Sequence, residues 1–127
     1  LKLYMRGYEE IYKPFMDARP HMLENVLLNQ MRIELFPLGP QTGVYVEATT
    51  VFEIYLMQMV NYTLLRSLLV GIASDAKTGF DEVLAVKAIQ TFTKAVDHNL
   101  PFKKQMLSLL KQNGMDKMAI VAALLRN

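Results

Sequence analysis

The sequence predicts an all-α fold: a compact bundle of about six helices around a long central one. Three observations lead there. Apolar residues recur at helical spacing in successive segments of the 127-residue chain, prolines and glycines mark short turns between them, and Val44, Tyr45 and Val46 form the only β-like triplet.

The first helix is expected from about Lys2 to Phe15, ending near Pro14, with Tyr4, Tyr8 and Tyr12 at i, i+4 spacing beside Met5, Ile11 and Phe15. Arg19 and Pro20 then open a second helix, because proline is tolerated in a first turn. Its apolar face runs through Met22, Leu23, Val26, Leu27, Met31 and Leu35 and stops at Phe36 and Pro37. From Pro37 to about Val46 two prolines and two glycines break any helix, which makes this stretch the one substantial loop and a natural place for binding groups.

The longest helix is expected from about Glu47 to Ala73. Its polar residues Glu47, Thr50, Glu53, Gln58, Asn61 and Arg66 point in several directions, and a helix without a clean polar face is usually central. Those groups then need partners, since a buried unpaired polar group costs about 1–3 kcal/mol. Thr78 and Asp81 have capping spacing for an amphipathic helix from about Gly79 to Asp97, with Lys87, Gln90 and Lys94 along one face. Asn99 and Pro101 start a shorter helix through Gln112, closed by Asn113 and Gly114. Asp116 is the expected cap of a last helix, Lys117 to Arg126.

A chain of this length supports one core. Hydrophobic residues make up 52% and charged residues 20%, heavier in apolar groups than the roughly 45–50% of an average domain, so part of that surface is expected to be covered by a partner. Fourteen Lys and Arg stand against twelve Asp and Glu without blocks, and Lys103 and Lys104 are the only adjacent basic pair. Nucleic acid is therefore an unsuitable partner. The stretch Val51 to Ser74 is long enough for a bilayer, but Glu53, Gln58, Asn61 and Arg66 interrupt it, and a buried soluble helix fits better. The chain opens on Leu1 and shows no secretory pattern, which reads as a cytoplasmic piece of a longer protein.

The residues also limit the chemistry. With no cysteine there is no disulfide, thiolate zinc site or iron–sulfur cluster held by this sequence. The six glycines are isolated, so no loop cradles a nucleotide. His21 and His98 are the only imidazoles; His21 and Glu24 at i, i+3 could present two metal ligands, although a helix start beside a solvated carboxylate explains them as well. Nothing points to a nucleophilic triad. Met57, Met59 and Tyr62 could line an adaptable apolar pocket or simply fill the core.

Three stretches, in order and approximate spacing, resemble the C-terminal helical region of the flagellin lysine-N-methylase family. They are LENVLLN at 23–29 followed by Leu35, Phe36 and Pro37; YTLLRSLLVGIA at 62–73; and AIQTFTKAVDHN at 88–99. The ending from Met118 to Asn127 is a fourth, weaker match. The resemblance implies a helical domain of a protein-lysine N-methyltransferase acting on flagellin. It implies an N-terminal cysteine-rich part bearing an iron–sulfur cluster, S-adenosylmethionine as methyl donor, and a fragment inactive alone. Glu24, Asn25, His98 and Asn99 match the family's recurring polar positions and are expected to be structural or interface groups; no catalytic residue is assigned. The expected partners are the missing N-terminal domain, flagellin, and a second copy of the chain. The competing expectation is a ligand-sensing or dimerisation bundle of a transcriptional regulator, which requires a closed apolar pocket between helices.

Overall fold

The computed structural model describes residues 1–33, 50–76, 79–97 and 99–126, and every regular element in them is helical. In order these are α1 (Lys2–Gly7), a π-helical turn (Tyr8–Tyr12), α2 (Lys13–Asp17), α3 (His21–Ile33), α4 (Val51–Asp75), α5 (Glu82–Asp97), α6 (Leu100–Gln112) and α7 (Met118–Leu125). The first three run end to end, so the described residues form six rods, five of them around a central one of 25 residues, about 37 Å long at 1.5 Å per residue. The all-α class and the long central helix stand as the sequence predicts. The expected loop from Pro37 to Val46, its β-like triplet and the stop at Phe36 and Pro37 lie outside the described residues.

Pro14 does not end the first helix. The rod continues to Asp17, and the widened turn before Pro14 shows how: the Lys13 N–H donates five residues back to the Tyr8 carbonyl. A π-turn opens the helix one residue before proline, whose missing N–H and bulky ring would otherwise disturb a regular turn.

Three helix starts also differ from expectation. α4 begins at Val51, capped by the Thr50 hydroxyl, which accepts from the Glu53 N–H at 3.1 Å; Glu47 lies outside the described residues. α5 begins at Glu82 because Gly79 has φ +95°, a left-handed conformation that no helix interior accommodates. Asp81 is its cap, accepting from the Leu84 N–H at 2.8 Å; Thr78, the expected cap, lies outside the described residues. For α7 the cap position falls on Lys117, with no side-chain capping bond, so Asp116 stands one residue too early. The end of α6 is as expected: Met115 donates to Leu110 and Gly114, at φ +65°, to Lys111, the paired bonds of a Schellman closure.

The core lies along α4 in two clusters. Towards its C-terminus Leu65, Leu69, Val70 and Ala73 pack with Tyr12, Met16, Met22, Ala85 and Ala88. Towards its N-terminus Leu56, Met57, Met59 and Val60 pack with Leu107, Leu110 and Val121. Met57 and Met59 are thus core residues, not the lining of a closed pocket. Although α4 has the length and hydropathy of a bilayer span, 56% of its most apolar window is buried inside the bundle.

Its polar groups mostly find partners, as burial requires. Glu53 pairs with Lys111 of α6 at 2.9 Å, Arg66 donates to the Leu124 carbonyl of α7 at 2.9 Å, and Gln58 is also engaged. Two buried amides keep atoms without a hydrogen bond among the described residues: Oε1 of the otherwise engaged Gln58, and both Oδ1 and Nδ2 of Asn61.

Candidate functional site

An open cleft of about 580 Å³ lies where the first rod, α3 and α4 meet. The first rod brings Tyr8, Tyr12, Lys13, Met16 and Asp17 to it, α3 brings Leu23, Glu24 and Leu27, and α4 brings Tyr62 and Arg66. The tyrosine ladder read in the sequence supplies one wall. Tyr8 and Tyr12, one turn apart, stack with ring centroids 5.7 Å apart. Tyr12 is only 4% exposed; burial pushes its hydroxyl well above the ordinary tyrosine range, Tyr62 adds to this, and Arg66 opposes it.

The cations of the cleft are already engaged. Lys13 holds Asp17 at 2.8 Å, a hydrogen bond that raises the ammonium pKa, reinforced by the carboxylate charge. Arg19 lies 4.1 Å over the Phe15 ring, donates to the Phe15 carbonyl at 3.3 Å and faces Glu82 at 3.5 Å. Arg66 reaches past Tyr62, its guanidinium 6.0 Å from that ring, to the end of α7. There a positive charge also complements the helix C-terminus. What the cleft offers a visitor is aromatic surface, hydroxyls and the exposed carboxylate of Glu24. These are groups for recognition. Among the described residues no cluster of three metal-ligating side chains occurs.

The residues singled out in the sequence separate in space. Glu24 lines the cleft, whereas Asn25, one residue on and also exposed, is not part of its lining. Asn99 is structural: its side chain accepts from the Phe102 N–H at 3.0 Å and caps α6. His98 lies outside the described residues. His21 and Glu24 are both exposed at the start of α3. Sequence reasoning missed Arg19 and did not place Arg66; the tyrosine spacing was the available signal for the wall they complete.

The sequence model of the FliB lysine N-methylase C-terminal domain matches residues 1–124, nearly the whole chain. The chain belongs to this family. No curated protein and no solved structure matches it. For a FliB lysine N-methylase C-terminal domain, the bundle described here is all-helical, and its open, charge-lined cleft is unlike the closed apolar pocket that a ligand sensor would require. With no cysteine in the sequence, the donor set does not fit an iron–sulfur cluster.

Proposed function

We propose that this chain is the helical domain of a protein-lysine N-methyltransferase acting on flagellin, where it braces the catalytic part and docks the protein substrate. The family match supports the enzyme class. The observation that carries the docking role is the cleft around Glu24, which combines tyrosine faces with an exposed carboxylate. Leu64 and Leu68, exposed one turn apart on the central helix, offer apolar surface for the bracing contact. On this reading the cysteine-rich part supplies the cluster ligands and binds S-adenosylmethionine, and this domain alone transfers no methyl group.

The test is steady-state kinetics of the full-length enzyme carrying Glu24→Arg, with flagellin as the varied substrate. Docking in the cleft raises KM about tenfold and leaves kcat near wild type. A fall in kcat at unchanged KM would place the cleft at the reacting centre and overturn the docking role.

A further inference from the structure

A second groove, of about 420 Å³, lies between α3 and α5. Val26 and Ile89 give it aliphatic walls, and Asn29, Gln90 and Thr93 give it neutral hydrogen-bonding groups, beside Lys94 and the already engaged Gln30. Beside it sits a small cavity, lined also by Asn61 of α4, that shares Val26, Gln30 and Thr93 with the groove and Leu27 and Tyr62 with the Glu24 cleft. The Asn61 side chain is 1% exposed, and among the described residues its Oδ1 accepts nothing and its Nδ2 donates nothing.

Such an amide is costly to leave unpaired, by the same desolvation argument that explains the partners of Glu53 and Arg66. The cavity is also small: about 10 Å³, room for a single oxygen-sized group. A charged group is excluded by the cost of burying it there without a counter-ion. A hydroxyl meets every condition, since one oxygen both donates to Asn61 Oδ1 and accepts from Asn61 Nδ2. The groove beside it supplies amides that suit a peptide main chain and aliphatic surface that suits a methyl group.

We infer that the α3–α5 groove is a second protein-docking site, in which a threonine or serine of the bound segment places its hydroxyl on the buried Asn61 amide. The inference does not rest on the docking role proposed for the Glu24 cleft or on the identity of the methylation substrate, and Gln90, which lines the groove and not the cleft, tells the two approaches to Asn61 apart. It is tested on the intact protein by following the Asn61 and Gln90 side-chain amide signals in a proton–nitrogen correlation spectrum during two titrations. One uses N-acetyl-threonine amide, the other N-acetyl-valine amide, which has the same shape without the hydroxyl. The expected result is that threonine shifts both signals, with about a tenfold preference over valine, and that Gln90→Ala weakens the response without unfolding the chain. Equal response to both probes would reduce the groove to a nonspecific apolar surface. No response at Asn61, or a long-lived water there that threonine does not displace, would show that the amide serves a solvent molecule and would overturn the site.

Discussion

The two ends of α4 are packed by opposite means. At its C-terminal end helices meet backbone to backbone. A Cβ added at Gly7 would stand 2.8 Å from the Ser74 Cα, and Ala73, Ala85 and Ala88 are all buried. Aromatic rings flank this crossing, with Phe15 edge-on to Phe80 at 4.8 Å. At its N-terminal end long side chains do the filling: Leu56, Met57 and Met59 against Leu107 and Leu110, with Glu53 and Lys111 tying α4 to α6. Small residues permit close approach but leave no slack, whereas unbranched thioethers adjust. The recognition cleft borders the tight end, where its tyrosines are held in place by the crossing beneath them.

If that contrast is right, the largest loss comes from Leu69→Ala, which empties a fully buried position at the tight end and should cost about 2–5 kcal/mol in urea unfolding. Gly7→Ala follows, at about 1–3 kcal/mol, because the new methyl meets backbone that cannot rotate away. Gly71→Ala is its control: nothing lies within 4 Å of the added Cβ, so relief of glycine's helix penalty should stabilise the chain by up to about 1 kcal/mol. Equal losses from the two glycine variants would remove the close crossing from the account.

Tyr12 joins the tight end to the cleft, and its raised pKa has a definite pH signature. The folded chain keeps the hydroxyl proton where the unfolded chain begins to lose it. The contribution is therefore complete below about pH 10 and declines as pH rises beyond it, by up to about 1.4 kcal/mol per pH unit. Comparing wild type with Tyr12→Phe between neutral pH and pH 11 should show the steeper decline only in the wild type; parallel curves would mean that Tyr12 is more solvated than its burial indicates. The smallest loss belongs to the adaptable end, where Met57→Leu should cost less than about 1.5 kcal/mol, read as a small shift in the urea midpoint.

Helix existence was legible because it depends on local periodicity and punctuation. The Asn99 start of α6 and the Asn113–Gly114 closure could be read directly, since caps are satisfied within a few residues. Pro14 misled because the compensation, a widened turn, is not encoded in any single residue type. The start of α5 was expected too early because Asp81 is as good an acceptor as a threonine three residues before it, and Gly79 adopts an open turn. In the site, Glu24 was found through the resemblance and the tyrosines through their spacing. Arg19 and Arg66 were not placed, because their partners lie on other helices or across a turn.

The sequence by itself determined an all-α chain with a central apolar helix, no cysteine chemistry and the family to which it belongs. Those follow from composition, short-range periodicity and motif order. Only the tertiary structure decided that Met57 and Met59 are core, that Glu24 is a cleft residue, and that Gly7 marks a backbone crossing. Each of these depends on a neighbour, and for Gly7 and Ser74 that neighbour is 67 residues away in number (74 minus 7). Long-range proximity is set by the packing of whole helices, and one-dimensional periodicity carries no record of it.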